Sequence, residues 1–129
     1  EGAVLERSFE GHTNHVLDVA WRADGFVLAS GGADQVVKEW DFEKGNQKQT
    51  VKGHTKGVSS IAYMGTGEKL ISSSGDQSVR IANKPLPDAG TFIHSSSVSK
   101  DGTIIVAGGE DSILRVWTTG DSKLYLKLQ

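Results

Sequence analysis

The chain contains no cysteine. That excludes a disulfide frame, a thiol nucleophile and thiolate-held zinc, and it leaves the redox compartment unread. Neither charge sign is in excess: 14 Lys and Arg against 16 Asp and Glu give a formal net charge of -2. So small a charge cannot sustain a field that gathers nucleic acid or anionic lipid. No apolar run approaches the roughly 20 residues of a membrane-spanning helix, and no charged-then-apolar leader opens the chain. A soluble protein without nucleic-acid or membrane partners is expected, in a compartment the residues do not name. The first residue is Glu1 rather than Met, which suggests a processed or excised segment. Proline occurs only twice, at Pro85 and Pro87, so few positions are barred from a β-ladder.

What the chain has in quantity is glycine, 16 residues among 129, with many Val, Ile, Ser and Thr. Short strands and tight turns follow, and with them an all-β chain of one-domain length. The segment Leu28 to Asp41 (LASGGADQVVKEWD) reads as a strand, a Gly-rich turn carrying Asp34, and a second strand ending in Trp-Asp. Its design returns at Leu70 to Asn83 and again at Ile105 to Thr118. Each time an Asp stands six residues before the last strand position: Asp34 to Trp40, Asp76 to Ala82, Asp111 to Trp117. The first two units are offset by 42 residues, measured from Gly11-His12 to Gly53-His54 or from Asp34 to Asp76. The third follows at 35, and the seven lost residues fall between Ala82 and Phe92, where both prolines lie. A fixed internal period dictates the architecture, here units of four antiparallel strands at about 11–52, 53–92 and 93–129. Residues 3–9 add an outer strand belonging to a preceding or neighbouring unit, and Lys123 to Leu128 an outer strand for the third.

On these residues the chain resembles the WD-repeat family in its regular, bacterial-like form: the Gly-His pairs, the Asp-Gly turn, the Asp six before Trp, and the terminal Trp-Asp. The resemblance implies a β-propeller, with four-stranded blades set radially about a channel, three of them in this chain. It also implies a bracing tetrad within each blade. His12, Ser30, Asp34 and Trp40 match all four places in the first unit. His54, Ser72 and Asp76 match in the second, where Ala82 replaces Trp. Only Asp111 and Trp117 match in the third, with Ala107 in the Ser place. Rigidity should then fall from the first unit to the third.

Ser, His and Asp are also the residues of a hydrolase triad. The Gly-x-Ser-x-Gly elbow is absent, however, and the set recurs in the second unit, as a brace does and a catalytic site does not. No catalytic residue is assigned. His12 and His15 at i, i+3 on a loop-to-strand junction diverge, so no metal site or cofactor is assigned. Lys38, Arg80 and Arg115 recur at one strand position and read as a solvated or snorkelling row rather than a phosphate track. The Gly31-Gly32 and Gly108-Gly109 pairs read as tight turns, because neither opens a helix nor precedes a Lys.

In the family, partners dock on the wider channel face. That maps here to Asn14, His15, Ala33, Lys56, Gly57, Gly75 and Glu110, which vary from unit to unit while the framework repeats. Three blades cannot close a ring that ordinarily holds four to eight. They leave apolar end faces, expected to include Val16, Val19, Val37, Ile104, Leu114 and Val116, of the kind soluble monomers rarely expose. The expectation is a non-enzymatic protein–protein interaction scaffold, with a protein or peptide on the loop face. The chain's other partner is itself, as a dimer of six blades or a trimer of nine. The alternative is a fragment or engineered piece of a larger propeller with a purely structural role, and after that an enzyme using the central channel.

Overall fold

The computed structural model of the chain describes residue 4 and residues 7–129. Among them there is no helix. Twelve strands form three four-stranded antiparallel sheets, each built of strands consecutive in sequence. The first holds β1 (Val16–Trp21), β2 (Val27–Gly32), β3 (Val36–Asp41) and β4 (Asn46–Lys52). The second holds β5 (Val58–Tyr63), β6 (Leu70–Ser74), β7 (Ser78–Ile81) and β8 (Lys84–Pro85). The third holds β9 (Ile93–Val98), β10 (Ile104–Gly109), β11 (Leu114–Thr118) and β12 (Lys123–Leu128).

The turns are closed by short polar side chains that bond their own backbone. Asp24 Oδ1 accepts the Phe26 N–H at 2.9 Å, Asp41 Oδ1 that of Lys44 at 2.8 Å, and Asp101 Oδ1 that of Thr103 at 3.1 Å. At the turn between second and third strands, all three sheets set the residue after the repeating Asp at positive φ. These are Gln35, Gln77 and Ser112, at 76°, 70° and 65°. A third recurring device is a register shift opposite the Trp of β3 and β11, where Lys48 and Tyr125 are left out of the ladder.

Face-to-face packing of neighbouring sheets makes two cores. Val27, Ala29 and Val37 of the first sheet meet Val58, Ile61 and Tyr63 of the second. Ile71 and Val79 of the second meet Ile93, Ile105, Ala107 and Trp117 of the third, with Leu86 and Ala89 sealing the gap. The first joint is close enough to demand glycine: a Cβ on Gly31 would lie 2.7 Å from Val58 Cγ1. The same polar link crosses each joint. Asp18 Oδ2 accepts the Ile61 N–H at 2.9 Å, and Ser60 Oγ, 42 positions later, accepts the Ser96 N–H at 3.2 Å.

The second sheet is cut short. Ala82 and Asn83, with φ of 48° and 69°, form a two-residue type I′ hairpin that ends β7 where the first sheet carries its Trp. Only Lys84 and Pro85 pair beyond it, and Leu86 returns its N–H to Val79 O at 2.7 Å. The chain then crosses to the third sheet.

Three expectations need correction or restriction. Of the outer strand at 3–9, residues 3, 5 and 6 lie outside the described residues, and Val4 and Arg7 to Phe9 pair in no ladder. Phe9 instead lays its ring against Trp40 and Phe42, at centroid distances of 5.6 and 6.5 Å. Val37 does not face outward, because its side of β3 is the side the second sheet covers. Val116 is also buried, flanked by its register partners Val106 and Leu126, whereas Val16, Val19, Ile104 and Leu114 are exposed. Finally, Lys38 and Arg115 are buried rather than solvated. Lys38 Nζ donates to Gln47 and Thr50 at 3.1 and 2.9 Å, and Arg115 grips Asp111.

Candidate functional site

The tetrad positions lie at one edge of each sheet, where the loop before the first strand passes over the turn between the second and third. In the first sheet His12 Nδ1 stands 2.9 Å from Asp34 Oδ2, and its Nε2 2.6 Å from Ser30 Oγ. The Trp40 indole N–H donates to the same Ser30 oxygen at 2.9 Å. Asp34 also accepts the Thr13 N–H at 3.0 Å. With the carboxylate on Nδ1, that nitrogen carries the imidazole proton, so Ser30 donates to Nε2 and accepts from the indole. Burial works against the Asp34 charge, but the Thr13 N–H and the His12 bond outweigh it, and the carboxyl lies below its usual range.

The second sheet repeats three of the four parts. His54 Nδ1 is 2.9 Å from Asp76 Oδ2 and Nε2 is 2.8 Å from Ser72 Oγ. Asp76 is further held by the Ser78 hydroxyl at 2.6 Å and the Thr55 N–H at 3.1 Å. Burial lowers the affinity of His54 for a proton, and Asp76 only partly restores it. Burial opposes the Asp76 charge, yet Ser78, His54 and Thr55 together hold its carboxyl below the usual value.

The third sheet keeps the end residues and changes their partners. With no His to bind, Asp111 takes Arg115 in a two-pronged pair at 2.6 and 3.2 Å, which lowers its carboxyl. With Ala107 in the Ser place, the Trp117 indole donates to Pro87 O at 2.8 Å. Arg115 and Pro87 had no role in the sequence-based tetrad. The signal available was the seven-residue deletion itself, which removes the His loop and obliges the partners to come from elsewhere.

Two of these clusters have the bond pattern of a Ser-His-Asp triad. Ser30 is buried beneath an indole that already donates to it, and a buried, capped hydroxyl cannot reach a substrate carbonyl; Ser72 is buried as well but carries no indole. Among the described residues no three His, Asp or Glu side chains are grouped to hold a metal ion, and no helix is long and apolar enough to cross a membrane. His12 and His15 do diverge: His12 points into the tetrad and His15 is exposed.

The loop residues expected to form a partner face divide unequally. Asn14, His15, Lys56 and Glu110 are exposed. The Asn14 side chain accepts the His15 N–H at 2.8 Å, and the His15 carbonyl accepts the Ala33 N–H at 2.8 Å, which ties the two loops of the first sheet. Gly57 abuts Ala33, so the first two sheets present one continuous rim. Glu110 stands 3.7 Å from His94 on the third. Gly75 departs from expectation: it is buried under the Phe92 ring and offers nothing to a partner.

Comparison with known proteins agrees with this geometry. The profile described as "WD domain, G-beta repeat" matches residues 3–41, 45–83 and 87–118. The WD repeat-containing protein slp1 of Schizosaccharomyces pombe is 44% identical over 52 residues, covering 35% of this chain and 11% of that protein. THO complex subunit 3 of Arabidopsis thaliana is 39% identical over 41 residues, covering 32% and 13%. Protein groucho of Drosophila melanogaster is 39% identical over 46 residues, covering 36% and 6%. The chain thus spans a small part of the curated relatives it matches.

Proposed function

Since the chain belongs to the WD domain, G-beta repeat family, we propose that it is a non-enzymatic protein–protein interaction scaffold whose ring is completed by other copies of itself. One observation carries the assembly. Val16, Val58 and Ile93 hold the same place in the three sheets; the last two are fully buried by the preceding sheet, while Val16 is 52% exposed. At the other end Val37 and Val79 are buried by the following sheet, while Leu114, in their place, is 39% exposed. The two ends of the row are therefore the two halves of the joint found twice inside it. The polar link points the same way: Ser95, in the place of Asp18 and Ser60, is exposed. Two copies give six blades, within the four to eight that rings ordinarily hold, and three give nine. A closing rotation is required, because a heterologous contact that fails to close makes filaments.

The rim formed by Asn14, His15, Ala33, Lys56, Gly57 and Glu110 is the proposed docking face for a protein or peptide. Its framework is braced by the tetrad bonds of the first two sheets and the Asp111–Arg115 pair of the third, while its side chains differ between sheets. A second reading has support of its own: the relatives are far longer than this chain, so further blades of one polypeptide could cover the same faces. Concentration dependence separates the two. If copies complete the ring, the thermal midpoint rises with protein concentration; if not, it stays fixed. For the docking face, Lys56→Glu with Glu110→Lys should abolish capture of a partner from extract without changing the fold, and unchanged capture contradicts it. Turnover of an ester substrate abolished by Ser30→Ala in a folded protein would overturn the non-enzymatic reading.

A further inference from the structure

Each sheet has a slot for one indole, on the side facing the sheet before it. Trp40 fills the first, with Phe9 over it, and Trp117 fills the third, with its N–H on Pro87. In the second sheet Ala82 stands in that place, and its positive φ belongs to the hairpin that ends β7. The slot is open. A cavity of about 270 Å³ lies between the first and second sheets, lined by Val37, Val51, Leu70, Ser72, Glu39 and Ala82. Engineered apolar cavities of roughly 150 Å³ admit benzene, so a bicyclic ring has room here.

Its polar groups are as specific as its size. Ser72 Oγ spends its proton on His54 Nε2, as Ser30 does on His12, yet no indole donates to it. A lone pair that takes an indole N–H in the first sheet thus faces an open slot in the second. Across the cavity Glu39 is held in place by the Tyr63 hydroxyl, which donates to it at 2.7 Å, and by Gln49. Burial and that carboxylate push the Tyr63 phenol far up, so it remains a donor. Ser72 and Glu39 offer acceptors from opposite sides and Val37, Val51 and Leu70 offer aliphatic surface, while Gln49, Lys69 and Asn83 bring donors to the rest of the lining.

We infer that the cleft between the first two sheets is a binding site for a planar bicyclic heteroaromatic with a ring N–H, indole-like in shape, that donates to Ser72 Oγ. The site lies inside one chain and does not depend on ring closure. An indole can come from a free small molecule or from a Trp side chain on a partner peptide, and both use this chemistry.

The test is titration of the full chain, followed by methyl NMR of Val37, Val51 and Leu70. Indole should shift these methyls saturably, and 1-methylindole, which lacks the donor, should bind about three- to ten-fold more weakly, the worth of one neutral hydrogen bond. Ser72→Ala should bind both equally. Should Ser72→Ala fail to fold, Val51→Phe supplies the second check by filling the cavity and abolishing indole binding. N-acetyltryptophanamide distinguishes the sources: binding alongside indole assigns the slot to a partner's Trp side chain, and exclusion assigns it to a free ligand. No methyl shifts at saturating indole, or equal affinity for indole and 1-methylindole in the unaltered chain, would overturn the inference.

Discussion

The first and third sheets hold the same large residue by different means. In the first, Trp40 is braced by its own sheet: Ser30 accepts the indole proton, His12 fixes Ser30, and Asp34 fixes His12. In the third, Trp117 is braced from outside, its N–H on Pro87 of the connecting segment and its ring enclosed by the second sheet. Trp40 rests on a local polar network beside an open flank, and Trp117 on tertiary burial. The lesson is that a repeat can lose its hydrogen-bonded brace where a neighbouring sheet supplies cover. The missing His and Ser therefore do not make the third sheet the weakest by themselves. What separates the two is which flank lacks a neighbour.

Several substitutions break that comparison in graded ways. Trp117→Ala should have the largest effect, about 3–5 kcal/mol in chemical denaturation, since it empties the second core. Trp40→Ala should cost less, because part of its ring cover is Phe9 rather than a sheet. Gly31→Ala should cost about 1–3 kcal/mol by forcing a methyl into Val58, while Gly108→Ala, 77 positions later with nothing near its Cβ, should stay within about 0.5 kcal/mol in the unassociated chain. Ser30→Ala strips the acceptor from a buried indole N–H and the donor from His12, and should cost about 1–3 kcal/mol. The reverse change, Ala107→Ser, should gain nothing, because the Trp117 proton is already committed to Pro87.

A further effect lies in the pH profile. The His54 pKa is depressed in the fold, so its contribution is complete above the unfolded value of about 6.5 and is lost as pH falls through the folded value. The depressed Asp34 and Asp76 carboxyls contribute above about 3.9 and lose that contribution as pH falls through their folded values. A denaturation series in which His54→Gln flattens the slope below pH 6.5 checks the first step, and an unchanged slope contradicts it.

Much of this is legible in the sequence. Strand order and the repeat period follow from residue type and spacing, because a two-residue alternation broken by Asp and Gly turns has few other solutions, and the tetrad of the first two sheets follows from the resemblance to the WD-repeat family. What escaped was decided by tertiary neighbours. Val37 alternates like its exposed counterparts, and only the second sheet's presence buries it. The deletion before the third sheet was visible as two prolines and a short count, yet not that Leu86 and Pro87 would serve Trp117. Gly75 reads as a loop residue, and the ring that covers it comes from Phe92, in the connecting segment just before β9.

If these sheets are wedges, each requires a partner sheet on both flanks, and the free chain cannot stay single. Native mass by multi-angle light scattering reads this out. A closed species at twice or three times the 13.8 kDa chain mass is expected, reduced by Gly108→Arg at the open end face. A folded, monodisperse species of 13.8 kDa, with Val16 and Leu114 still open to solvent, would contradict it.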